Sequence, residues 1–196
     1  LRNRSQLDPE ISLSPFPWSD LLIIAGLIVL NGLFSMSELA IVSARPARLR
    51  KMSEDGSKGA KAALALAADS GKFLSTVQIG ITLIGIVAGA YSGASLGQPV
   101  GERLAALGID AELADELGFA VVIVLTTYFS LTVGELAPKQ IALRGREKIA
   151  SLAAPPMSIL AKVAAPVVWL LDKSTDGLLR LIGIRQQRDA GVTADE

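Results

Sequence analysis

Two stretches of sequence place side chains able to do chemistry in apolar surroundings. In NGLFSMSE, Asn31, Ser35 and Glu38 fall at i, i+4 and i+7 and so share one face of a helix. In LTVGELAPK, residues 131–139, Glu135 follows Gly134 and stands three residues before Pro138. Pro138 has no N–H and crowds the carbonyl four residues earlier, which is that of Gly134. The second stretch thus offers a carboxylate beside a released backbone oxygen, and the first offers an amide and a hydroxyl. Oxygen donors of this kind suit a hard cation. Other uses stay open: Asn31 and Ser35 can bond neighbouring helices, Glu38 can meet water or a lysine, and Glu135 can pair with Lys139 at i+4.

The rest of the composition narrows the chemistry. The chain contains no Cys and no His, which removes disulfides, thiolate metal sites and imidazole acid–base catalysis. Metals that prefer sulfur or imidazole are disfavoured, and Mg²⁺ is favoured over Zn²⁺ or Cu²⁺. No nucleophile–base pair is evident, so an enzyme is not expected. The net charge is zero, and nothing in it points to a nucleic-acid partner.

These residues must be positioned by membrane helices. Of the 196 residues, 51% are hydrophobic, and they come in long blocks rather than alternating faces. Three spans are expected, at about 21–42, 73–96 and 117–137, each long enough to cross the hydrocarbon core. Trp18 precedes the first as an interfacial aromatic. The 43–72 segment carries Arg45, Arg48, Arg50, Lys51, Lys58, Lys61 and Lys72, whereas the 97–116 segment holds one base, Arg103, against five acids. The positive-inside rule then places 43–72 and the C-terminal region in the cytoplasm, with the N-terminus and 97–116 outside. The first twenty residues are polar and hold three prolines, so no secretory signal is read there.

Residues 149–171 are mostly apolar, but Pro155, Pro156 and Pro166 interrupt them and Lys162 lies near their middle. They are expected to form broken amphipathic helices on the inner surface, with Trp169 in the headgroup layer. The second span adds Gln78, Thr82 and glycines at 85, 89, 93 and 97. That stripe reads as a close-packing face, within one chain or across a dimer.

NGLFSMSELAIVSAR (31–45), VGELAPKQIAL (133–143), the basic segment from Arg48 to Gly80 and SLAAPPMSILAKVAAPVVWLLDK (151–173) occur in an order that resembles the transmembrane domain of the CorC/cyclin M family. The similarity covers about residues 20–184. It implies an all-α integral membrane fold of three transmembrane helices plus juxtamembrane amphipathic helices at about 44–70 and 147–184, assembled as a homodimer in the cell (inner) membrane. It implies Mg²⁺ export, with sodium coupling, and a pair of cytoplasmic CBS domains that bind ATP and are not in this chain. Residues 1–19 would be a polar external segment and 185–196 a linker toward those domains. Carried over residue by residue, the family's metal site falls on Ser35 and Glu135, with Asn31 one turn earlier and the Gly134 carbonyl beside them. Many relatives carry asparagines near the positions of Ile81 and Gly85, where this chain reads IGITLIGI. Thr82, a backbone carbonyl or a retained water would have to substitute. Two other functions fit the same residues: an embedded Mg²⁺ sensor that transports nothing, and a transporter of another hard cation.

Overall fold

The computed structural model describes residues 14–182. The expectations for most of the N-terminal segment and for the 185–196 linker lie outside the described residues. What is described is helical, with no strand among the described residues.

Helix α1 spans Trp18–Ser43, a 26-residue apolar helix beginning at Pro17–Trp18. Two short helices follow, α2 (Pro46–Glu54) and α3 (Lys58–Ala68). Ser57 caps α3 by accepting a hydrogen bond from the Ala60 N–H. Helix α4 (Ser70–Ala106) is 37 residues long and runs well past the expected end near residue 96. The expected 97–116 loop therefore shrinks to the turn at 107–110. There Gly108, at φ +96°, takes the left-handed conformation that ends many helices. Asp110 then caps α5 (Ala111–Leu131) by accepting from the Glu112 and Leu113 N–H groups.

Helices α4 and α5 form a tight antiparallel hairpin, and the glycine stripe explains half of it. A Cβ on Gly93 would come within 2.6 Å of the Phe119 ring, and one on Gly118 within 2.5 Å of the Gly101 nitrogen. The stripe is divided: Gly93 and Gly97 receive Phe119 of α5, whereas Gly85 and Gly89 face open space.

Beyond α5 the chain continues as one apolar rod, but its winding changes. Residues Thr132–Leu136 form a π-turn, followed by α6 (Ala137–Arg144). The Ala137 N–H reaches back to the Thr132 carbonyl, an i+5 bond. The physical reason is Pro138, which can neither donate to Gly134 nor tolerate its carbonyl at α-helical distance. Widening the preceding turn removes the clash without breaking the rod.

The largest departure from expectation is α7. Instead of the expected breaks, Arg146–Leu181 is one continuous 36-residue helix containing all three prolines. Pro155 releases the carbonyl of Ser151. Helix α3 packs directly on it, so closely that a Cβ on Gly59 would sit 2.0 Å from the Ser151 oxygen. The Ser57 and Ser151 hydroxyls are also hydrogen-bonded, at 3.0 Å. A neighbouring helix thus covers the opened turn, which is how prolines are tolerated within long apolar helices. Among the described residues four helices, where three were expected, are long and apolar enough to cross a membrane: α1, α4, the α5–α6 rod and α7.

The core has two parts. Ala40, Ile41, Leu49, Phe73 and Val77 join α1, α2 and α4 beneath α3 and α7. Ile24, Ile28, Leu96 and Val122 join α1, α4 and α5 at the other end. At that second end Tyr91 donates to Asp20 at 2.9 Å, and Arg103 stacks over Phe16 while donating to the Ser14 carbonyl.

Candidate ion-binding site

The polar face of α1 meets the π-turn. Asn31 and Ser35 are buried, at 4% and 0% exposure. Two glycines permit the approach. A Cβ on Gly32 would lie 3.0 Å from the Pro138 ring and 3.2 Å from the Val133 carbonyl; one on Gly134 would lie 3.1 Å from the Ile28 carbonyl and 3.2 Å from Asn31 Nδ2. Backbone-to-backbone packing of this kind needs small residues on both helices.

Across this contact the Asn31 amide donates to the Gly134 carbonyl at 3.2 Å, and the Ser35 hydroxyl donates to the Glu135 carbonyl at 3.4 Å. The structure therefore brings all four expected residues together, but through the backbone of the π-turn. The Glu135 carboxylate is turned elsewhere: its Oε1 accepts from Lys139 Nζ at 2.7 Å, with each side chain one-third exposed. Of the two uses open to Glu135 in the sequence, the i+4 pairing with Lys139 is the one adopted here. Glu38, one turn beyond Ser35 on α1, lies within electrostatic reach of both Glu135 and Lys139.

One polar atom in this cluster has no hydrogen-bond partner: Asn31 Oδ1, which is fully buried. Because the amide nitrogen serves the Gly134 carbonyl, the oxygen points away from it. A buried acceptor left without a donor costs roughly 1–3 kcal/mol, so such atoms commonly mark a place where a ligand completes the structure. With two peptide carbonyls, a hydroxyl and a nearby carboxylate, the donor set consists of oxygen atoms alone. No group of three or more His, Cys, Asp or Glu side chains is clustered among the described residues. A cation held here would rely mainly on neutral oxygens with one carboxylate, which suits Mg²⁺ that retains some of its water.

Helix α4 adds no side chain to this cluster. Ile81 packs against the larger core, Gly85 faces open space, and Thr82 lines a groove between α4 and α7. The proposed substitution of Thr82 for a second-span ligand is not realised here. Sequence reasoning also missed the Glu135 carbonyl as the acceptor for Ser35. Its signal was present in Pro138, which forces the turn that exposes successive carbonyls.

The cyclin M transmembrane N-terminal domain matches residues 22–196. The chain belongs to the cyclin M transmembrane family. Among similar proteins, the UPF0053 protein sll0260 of Synechocystis is 47% identical over 177 residues, covering 90% of this chain and 40% of that protein. UPF0053 protein YhdT of Bacillus subtilis is 34% identical over 170 residues, covering 84% of this chain and 36% of that protein. A UPF0053 protein of Haemophilus influenzae is 31% identical over 181 residues, covering 92% and 40%. The chain thus spans about two-fifths of the length of these relatives. It is a membrane domain of the CorC/cyclin M family, and its long apolar helices make it a multi-pass membrane protein.

Proposed function

We propose that this domain binds Mg²⁺ at the junction of α1 and the π-turn and carries it out of the cell by alternating access, with sodium as the coupling ion. The observation that carries the reading is the buried, unpartnered Oδ1 of Asn31, a residue whose amide nitrogen bonds the Gly134 carbonyl while Ser35 bonds that of Glu135. Asn31, Ser35 and the Gly134 carbonyl supply neutral oxygens, and Glu135 supplies the charge. The Glu135 carboxylate swings from Lys139 to the ion, so Lys139 and the cation compete for it. The π-turn is suited to this exchange, because its carbonyls are less constrained than those of a regular α-helix. A homodimer in the cell membrane, with the basic α2–α3 segment cytoplasmic, fits the family and the charge distribution. CBS domains elsewhere in the full-length protein would bring ATP to regulate it.

Calorimetry with Mg²⁺ on purified protein, followed by flux in proteoliposomes, tests the proposal. Glu135→Gln keeps the side chain's size and removes its charge. It should abolish or greatly weaken binding and flux while the helical content and elution volume remain unchanged. Binding as tight as the parent's would make the carboxylate purely structural. Binding without flux in the parent would leave a sensor rather than a transporter.

A further inference from the structure

Glu38 is half-buried on α1, and among the described residues it forms no ion pair. An ionisable side chain in a membrane helix is costly and ordinarily faces a partner or a functional cavity. The charged groups that act on Glu38 are Lys139 and Glu135.

Their order along the bundle follows from register. Helix α1 and the α5–α6 rod run parallel: Ile24 and Ile28 share one core with Val122, and Ala40 and Ile41 share the other with Ala142. Between those cores Asn31 bonds Gly134, and Ser35 bonds Glu135. Glu38 stands one turn beyond Ser35, and Lys139 one turn beyond Glu135. The rise from Asn31 to Glu38 is about 10 Å at ~1.5 Å per residue. The Glu135–Lys139 pair therefore has the unpartnered Asn31 Oδ1 toward one end of the bundle and the unpaired Glu38 carboxylate toward the other.

Charge balance gives Glu38 a task. With two carboxylates and one ammonium, Glu38, Glu135 and Lys139 carry one negative charge in excess. A divalent cation that takes the Glu135 carboxylate leaves the Lys139 ammonium beside it without a partner. Like charges at such range repel strongly where solvent is partly excluded. Glu38 is the other carboxylate within electrostatic reach, and it lies on the side away from Asn31. The flexible lysine stem lets the ammonium turn toward it without moving either helix.

We propose that Glu38 is a positioning residue that takes over Lys139 when Glu135 turns to the cation. The role presupposes that the α1–π-turn junction binds Mg²⁺, as proposed above. The ammonium passes from the Glu135 carboxylate to that of Glu38, and no proton is transferred. Glu38 does not touch the ion. Capture and release of Mg²⁺ then exchange one ion pair for another, instead of leaving a half-buried lysine against a divalent cation.

Calorimetric titration with Mg²⁺ of the parent, Glu38→Gln, Lys139→Gln and the double variant tests the coupling. Glu38→Gln should weaken binding about two- to fivefold, the worth of one partly exposed ion pair. In the Lys139→Gln background the same substitution should cost much less, since no lysine is left to hold. An equal or larger loss in that background overturns the hand-over, because Glu38 then acts on the ion directly or supports the helix. Circular dichroism and elution volume establish that each variant is folded. A second measurement needs no variant: carbodiimide treatment of the parent joins Lys139 to the carboxylate it touches, and peptide mass spectrometry identifies the amide. Metal-free protein should give Lys139–Glu135, and Mg²⁺ should shift the product to Lys139–Glu38. Absence of the Lys139–Glu38 product in Mg²⁺ overturns the hand-over while leaving the ion site standing. A parent that binds no Mg²⁺, or undiminished binding in Glu135→Gln, overturns the ion site and the hand-over with it.

Discussion

Lys139→Gln separates a cation-binding Glu135 from a structural one. In the structure Lys139 holds the Glu135 carboxylate at 2.7 Å, both side chains being one-third exposed. The gross attraction at that distance is about 6 kcal/mol for an effective dielectric near 20. Desolvation and lost side-chain freedom offset most of it, and partly exposed pairs of this kind contribute about 0.5–1 kcal/mol net. If Mg²⁺ must displace Lys139 to reach the carboxylate, that net energy is subtracted from binding. Replacing Lys139 by Gln should therefore tighten Mg²⁺ binding about two- to fivefold, since a tenfold change corresponds to about 1.4 kcal/mol. Calorimetric titration of the parent, Lys139→Gln, Glu135→Gln and the double variant forms a complete cycle. The gain from Lys139→Gln should vanish in the Glu135→Gln background. Weaker binding in Lys139→Gln would refute the competition and make Lys139 a residue that orients the carboxylate. An equal gain in both backgrounds would also refute it, because the effect would then be general charge repulsion.

Asn31→Ala removes the orphaned oxygen and the amide bond to Gly134 together; Mg²⁺ affinity should fall by roughly five- to thirtyfold, the range expected for about 1–2 kcal/mol of a lost polar contact, as read by calorimetry. Gly93→Leu drives a side chain into Phe119 and should cost about 1–3 kcal/mol or more of stability, visible as a lower thermal midpoint in detergent. Gly89→Leu meets open space in the single chain, so it should leave that midpoint nearly unchanged and act, if anywhere, on association measured by light scattering. For topology, single cysteines at Glu54 and Leu107, both exposed, are treated in intact cells with an impermeant thiol reagent. Leu107→Cys should label and Glu54→Cys should not, and the reverse pattern overturns the orientation drawn from the basic residues.

The sequence by itself determined the membrane-helical class, the identities of the clustered residues and the family. The first two follow from local rules: apolar blocks long enough to span lipid, polar residues at helical spacing, and a proline whose effect reaches four residues back; the family follows from the resemblance of whole segments in order. Asn31, Ser35, Gly134 and Glu135 were all legible in this way, as was the alternative partner Lys139. The tertiary structure decided which of their atoms meet. Only the packing of Gly32 and Gly134 across α1 and the π-turn shows that Ser35 reaches a carbonyl rather than the carboxylate, and that Asn31 Oδ1 is left unpaired. It also decided the form of α7. Three prolines read locally as breaks, yet the helix continues; at the first of them α3 covers the carbonyl that Pro155 releases, with Gly59 seated against Ser151. The glycine stripe shows the same limit: its spacing was plain, but Gly93 faces Phe119 while Gly89 faces nothing, since which side of a helix meets a neighbour depends on contacts far away in the chain. Residue type and spacing are carried by near neighbours, whereas atom-to-atom pairing between helices about a hundred residues apart is set only when the whole bundle closes.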